Sequence, residues 1–395
     1  MKKLLFAICC LIFAGSVENS AHAEFSTPAK SAFLIDATSG VVIVNKAGDE
    51  LMPPSSMLKL MTLAVTFDAI KGGRLKMTDQ LTVSENADYK KTLWKTASKI
   101  CLVRGQKISV ADAVTGTIVM SGGDAAVVLA ERIAGSERNF TDLMLKRARA
   151  IGMRESTFGN VSGLPHPDNL MTSRELATLA AYLVDNHPEF YHLFATRRFE
   201  FGGYKNEWCV TWGAQHTVNY NKLLFIMPGA EGLKTGHTDG GGYGMAATAK
   251  HGDRRLIGVI NGMRARDHNA LAKEMKRMLE HGFDTTANRV FYRPGDDIVR
   301  VPLWYGRKKD VVATVAKPFA VTLAKGANTA GLRVLARYDE PFAAPVRQGG
   351  KVGEIIAELN GRVIARAPLV AKDKVGRTIF VSRIIQNLKI VFGMD

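Results

Sequence analysis

The chain has little cysteine: four residues in 395, two of which, Cys9 and Cys10, fall in its first apolar stretch. Cys101 and Cys209 remain, too few for a disulfide framework but enough for one bridge in an oxidising compartment. It also lacks metal-binding spacings. The nine histidines are scattered, and no H-E-x-x-H or C-x-x-C occurs, so no metal or other cofactor is expected. Glycines 240, 241, 242 and 244 do not match G-x-G-x-x-G and follow no dinucleotide-binding context, which excludes that reading. No internal repeat or low-complexity tract is present.

What is there begins with a three-part leader. Lys2 and Lys3 precede an apolar run from Leu4 to Ala14, too short to cross a bilayer, and Ala21-His22-Ala23 supplies a cleavage signal. Residues 1–23 are therefore expected to be a signal peptide, with export to the periplasm. Subtracting Lys2, Lys3 and Glu18 from 53 basic and 37 acidic side chains leaves 51 and 36, a net charge of +15. Such a field favours anionic partners such as wall polymer or acidic lipid. Nucleic acid is not expected, because the charge is dispersed, its longest basic run is Arg307-Lys308-Lys309, and export argues against it.

The length of the mature chain predicts two domains. Ala32 to Ile35 and Val41 to Asn45, separated by Asp36-Ala37-Thr38-Ser39-Gly40, predict a hairpin. Met57 to Ile70 is apolar on nearly every side and predicts a buried helix starting near Ser56. Ser109-x-x-Asp112 and Thr172-x-x-Glu175 predict capping boxes, in which hydroxyl and carboxylate satisfy the free N–H groups of a first turn. Gly240 to Ala249 and Leu256 to Asn261 predict strands. The first domain, 24–285, is thus expected to be α+β, an antiparallel sheet with helices packed against it. From about Val290 the texture changes to short β-type runs, predicting a small β-sandwich over 290–375. Over 376–395, Phe380, Val381, Ile384, Ile385, Leu388, Val391 and Phe392 fall on one helical arc, predicting an amphipathic helix in a membrane interface.

Three short elements carry chemistry. Ser56-Met57-Leu58-Lys59 puts a hydroxyl and an amine three residues apart on one helical face. A lysine whose pKa is lowered by burial can take the serine's proton. Ser121-Gly122-Gly123 lies between two apolar helical runs, where a loop can present a hydroxyl to a cleft. Lys234-Thr235-Gly236, followed by His237, stands just ahead of the glycine-rich strand. Each is weak alone, but their order is the one a serine acyl-transfer site requires.

With their surroundings these elements resemble the low-molecular-mass penicillin-binding proteins, serine-type D-alanyl-D-alanine carboxypeptidases marked by S-x-x-K, S-x-N and K-T-G. Pro54 to Thr62, Ser121 to Ala126, Asn219 to Leu224 and Glu231 to Thr238 carry the resemblance, which extends over essentially the whole mature chain. It implies a penicillin-binding catalytic domain followed by the β-domain. It also implies a reaction in which Ser56 attacks the penultimate D-alanine carbonyl of a peptidoglycan stem peptide and Lys59 accepts its proton. Ser121 would relay that proton, Lys234 and Thr235 would hold the terminal carboxylate, and the N–H groups of Ser56 and His237 would form the oxyanion hole. β-Lactams would acylate the same serine, and the terminal helix would rest on the inner membrane's outer face.

Two departures stand out. Gly123 occupies the place of the motif's asparagine, which implies a weakened site that Gly123→Asn should repair. The arginine usual before the family's final catalytic-domain helix has only Arg264 and Arg266 as candidates. Two alternatives remain at this stage. A β-lactamase is disfavoured by the lack of an E-x-x-L-N motif and by the β-domain, and a wall-binding protein with a decayed site rests on Gly123 alone.

Overall fold

The computed structural model describes residues 25–91, 94, 97–201, 218–339 and 342–378. It divides into a unit from Glu24 to Thr286 and a second beginning at Ala287. The expected leader, and all but the first three residues of the expected terminal helix, lie outside the described residues. No helix among those described is long and apolar enough to cross a membrane.

The first unit opens with β1 (Ser31–Asp36) and β2 (Val42–Lys46), paired antiparallel as expected. Asp36 Oδ1 accepts the N–H groups of Thr38 at 2.9 Å and Ser39 at 3.1 Å, so a side chain shapes the turn. A 3₁₀ turn, Ser55–Leu58, then runs into α1 (Lys59–Lys71), whose side chains from Lys59 to Phe67 are all buried. A small pair, β3 (Gln80–Thr82) and β4 (Lys107–Ser109), precedes α2 (Val110–Val119), α3 (Gly123–Ala134), α4 (Glu137–Ala150) and α5 (Ser173–Asn186). Three long strands follow: β5 (Ala230–Thr238), β6 (Gly242–His251) and β7 (Arg254–Met263). A helix over His268–Thr285 closes the unit.

The sheet has the order β2-β1-β7-β6-β5, all antiparallel. Side chains alternate across its two faces. Ala32, Leu34, Met245, Ala247, Leu256 and Ile260 pack with the His268–Thr285 helix. Phe33, Leu233, Ala246, Ile257 and Val259 join the larger core made with α1 to α5. Helices therefore cover both faces, and β5 is left as a sheet edge beside the Ser55–Leu58 turn.

Only half of each expected capping box forms. Ser109 Oγ and Thr172 Oγ1 each accept an N–H three residues on, at 3.0 Å. The acids turn elsewhere. Asp112 accepts the Ser109 hydroxyl at 2.6 Å, and Glu175 reaches across to the N–H groups of Arg154, Glu155 and Ser156 and the Ser156 hydroxyl. A tertiary hub of donors outcompetes the single N–H of its own cap.

The second unit is β-rich from its first residues, because β8 (Thr286–Tyr292) follows the helix without a break, four residues before the expected change at Val290. β9 (Val299–Trp304), β10 (Asp310–Val315), β11 (Phe319–Ala324), β12 (Leu332–Arg337), β13 (Phe342–Ala343), β14 (Lys351–Leu359) and β15 (Arg362–Ala371) complete it. They form a six-stranded sheet, β12-β14-β15-β10-β9-β13, and a β11-β8 pair that share one apolar core.

Glu175 generates a stability prediction. Its replacement by alanine strands three backbone N–H groups and should lower the unfolding free energy by about 3 kcal/mol. A denaturant titration showing a loss under about 1 kcal/mol would place the anchorage of the 154–156 segment elsewhere.

Candidate active site

The start of α1 brings the predicted nucleophile and base together. Lys59 Nζ donates to Ser56 Oγ at 2.9 Å and also to the Ser162 carbonyl. Ser56 is half-buried and reachable, whereas Lys59 is only 2% exposed. Burial lowers the Lys59 pKa to about 7, against the opposing pull of the Asp124 charge. The Ser162 segment is held close by its neighbour: a β-carbon on Gly163, at φ +74°, would lie 2.1 Å from the Ser55 carbonyl oxygen. Only glycine fits there. Nothing in the sequence flagged this segment, whose contact spans 103 positions.

Ser121 sits between α2 and α3 at φ +56°, and its buried Oγ has no hydrogen-bond partner among the described residues. A buried hydroxyl left without a partner can bond a group from outside the chain. Asp124, wholly buried, accepts the N–H groups of Ile100 and Leu102 at 3.0 Å and of Ala125 at 2.9 Å. Burial raises its pKa, and those N–H groups work in the opposite direction. Between Ile100 and Leu102, Cys101 is disulfide-bonded, so the sequence's open question of a bridge is answered at that residue.

The space beside Gly123 is filled. A β-carbon there would lie 2.5 Å from the six-membered ring of Trp94, which is fully buried and donates through Nε1 to the Asn86 carbonyl at 3.0 Å. The Gly123 N–H itself goes to the Ser98 carbonyl at 2.9 Å. The expectation that asparagine could simply be restored is therefore corrected: an indole stands where its side chain would begin.

On β5, Lys234 and Thr235 are buried, with Lys234 Nζ donating to the Thr235 carbonyl at 3.0 Å. Burial first, and the Lys59 charge second, hold Lys234 well below the ordinary lysine range. The strand lies hard against the Ser55–Leu58 turn, since a β-carbon on Gly236 would approach the Ser56 nitrogen to 3.0 Å. His237 is exposed, its ring 4.0 Å from that of its cross-strand partner Tyr243. His268, which the sequence did not single out, stacks on Tyr220 and meets Tyr243 edge-on, each at 5.2 Å. Burial, then Lys234 and His237, push its pKa down to about 4. Arg264 and Arg266 are exposed beyond β7, and neither bonds to the site among the described residues. No group of side chains among those described could hold a metal ion.

Residues 17–266 match the family model for D-alanyl-D-alanine carboxypeptidases. The chain belongs to that family. Residues 288–377 match the C-terminal domain of penicillin-binding protein 5, the β-domain that already disfavoured the β-lactamase alternative. The carboxypeptidase is 32% identical to D-alanyl-D-alanine carboxypeptidase DacC of Escherichia coli, covering 91% of this chain and 87% of that one. It is 28% identical to DacF of Bacillus subtilis, with coverage of 97% and 96%. Penicillin-binding protein 5 of Haemophilus influenzae superposes with a TM-score of 0.78 at 29% identity, covering 90% of this chain and all of the other. The chain is a serine-type D-Ala-D-Ala carboxypeptidase with the α+β catalytic domain and β-rich C-terminal domain of its relatives.

The packing at Gly123 predicts that Gly123→Asn gives no gain in kcat/KM and costs about 1–3 kcal/mol through overpacking, read as a lower melting temperature. In a Trp94→Ala background, itself destabilised by loss of a buried indole, the further cost of Gly123→Asn should shrink. An asparagine variant that melts normally and turns over faster would show that the indole yields freely.

Proposed function

We propose that Ser56 is the nucleophile, Lys59 its base, and the terminal D-alanine of a peptidoglycan pentapeptide the leaving group. The observation that carries this reading is the 2.9 Å bond between Lys59 and Ser56, made by a buried lysine whose pKa is about 7. At pH 7 an ordinary lysine is neutral in roughly one molecule in three thousand. Near 7, half are neutral and able to take a proton.

Ser56 Oγ attacks the penultimate carbonyl carbon as its proton passes to Lys59. The oxyanion is met by the N–H groups of Ser56 and His237, which the close approach of β5 supports. The C–N bond breaks, and the departing D-alanine receives the proton from Lys59 by way of Ser121. Water then attacks the ester on Ser56 with Lys59 again as base, releasing the shortened peptide. Lys234 and Thr235 bind the substrate's terminal carboxylate, whose charge offsets the cost of a protonated Lys234. A β-lactam follows the first half of this path and remains as an ester on Ser56.

The setting is equally part of the proposal. The leader over 1–23 directs export to the periplasm, and the amphipathic segment from Gly376 rests on the outer face of the inner membrane.

Labelling with a fluorescent penicillin should give one adduct, mapped by mass to Ser56 and absent in Ser56→Ala; an adduct on another serine would overturn the assignment. Because Lys59 must be neutral to accept the proton, the acylation rate should rise with pH up to about 7 and level off above it. Lys59→Arg, which cannot lose its proton in that range, should be inert at every pH. A rate independent of pH from 5 to 9 would remove Lys59 from the role of base.

A further inference from the structure

The second unit carries many basic side chains, but they are not alike. Arg300, Arg337, Arg366 and Lys372 are paired with Asp310, Glu358, Glu354 and Asp297. Arg307, Lys308 and Lys309 are exposed and form no ion pair among the described residues. They occupy the loop between β9 and β10, one glycine after the aromatic pair Trp304 and Tyr305. Val301 and Leu303 of β9 face the core, so the strand's alternation turns Trp304 outward, and it is 38% exposed. Tyr305, at φ +58°, turns the chain and sets its ring 6.1 Å from the indole.

Guarding a sheet edge is the ordinary use of such charges. It does not apply here, because β13 pairs with β9 at Leu303 and Trp304 and covers that edge. The loop instead clasps the end of the described chain. The Arg307 N–H donates to the Gly376 carbonyl at 2.9 Å, the Thr378 N–H to the Tyr305 carbonyl at 2.7 Å, and Arg307 Nε to the Arg377 carbonyl at 3.1 Å. The last described residues, Gly376 to Thr378, are therefore held at this tip, immediately ahead in sequence of the segment whose residues sort into an apolar arc.

We propose that Trp304 to Lys309 form a second contact with an anionic lipid surface, beside the last described residues and so next in sequence to the C-terminal segment. Tryptophan and tyrosine settle at the headgroup level of a bilayer, and unpaired lysines and arginines are drawn to acidic headgroups. A tail lying on the membrane brings the tip to the same surface, where an outward indole and the three exposed cations, none in an ion pair among the described residues, are complementary to it. The inference rests on the proposed membrane role of the tail, which fixes where the surface is.

The test uses the chain lacking its leader and vesicles of phosphatidylglycerol with phosphatidylcholine, against phosphatidylcholine alone. Lys308→Gln with Lys309→Gln should weaken binding to the anionic vesicles by roughly twentyfold at low salt, with the difference shrinking as salt rises. Trp304→Ser should weaken binding at all salt concentrations. Both effects should persist, on a weaker baseline, in a chain ending at Thr378. If the tip variants bind like the parent while truncation abolishes binding, the tail acts alone and the proposal is overturned. If truncation changes nothing while the tip variants lose binding, the reading of the tail fails and the tip stands. Variants that lose affinity for purified peptidoglycan but not for vesicles would assign the tip to the wall and overturn the lipid contact.

Discussion

Lys59 and Lys234 are each almost wholly withdrawn from water, and each makes the other's charge more costly. A lysine that titrates near 7 rather than 10.5 has its charged form disfavoured by roughly 5 kcal/mol. An ion pair would relieve that cost and with it abolish the base, because a bonded carboxylate raises a lysine's pKa. The protein gives both amines neutral acceptors instead: the Ser56 hydroxyl and Ser162 carbonyl for Lys59, the Thr235 carbonyl for Lys234. Asp124 is the acid whose charge acts on Lys59, and its oxygens are already taken up by the N–H groups of Ile100, Leu102 and Ala125. It moderates the field without capturing the proton.

Supplying neutral acceptors to buried amines means bringing backbone very close. That explains why strain collects around the site: Ser55 at φ +49°, Ser121 at φ +56°, and Gly163 and Gly236 packed where a β-carbon would collide with the Ser55–Ser56 backbone. Such conformations persist only when surrounding structure dictates them. The sheet with core on both faces does so, holding α1 from one side while β5 is fixed by its pairing with β6.

The parts of this arrangement that were legible in the sequence are those set by short-range periodicity. Three residues along a helix put Lys59 under Ser56, apolar runs bounded by turn residues announced the strands, and the Asp36 turn was spelled by its own side chain. Parts made by distant segments were not. The Ser162 carbonyl reaches Lys59 through a hundred intervening residues, and Glu175 abandons its local cap for donors twenty positions away. Gly123 shows the limit most clearly. As a letter in a motif it signified a missing amide, whereas in three dimensions the space belongs to Trp94, so the departure is a change of occupant. The start of β8 escaped notice because no turn residue separates it from the preceding helix.

The lysine pair also bears on the order of events during turnover. With no anion bound, burial and mutual repulsion push both amines toward neutrality. On the proposed reading, a substrate carboxylate arriving at Lys234 and Thr235 would add a negative charge beside Lys234 and raise that lysine's affinity for a proton. Once Lys234 is charged, it repels a proton from Lys59 more strongly than before. Under that proposal, binding the carboxylate end of the peptide would drive the two lysines into opposite states, one charged to hold the carboxylate and the other neutral to activate Ser56. A peptide lacking the terminal carboxylate would, on the same proposal, leave both in their resting state, so recognition and activation would be coupled through the charge of Lys234.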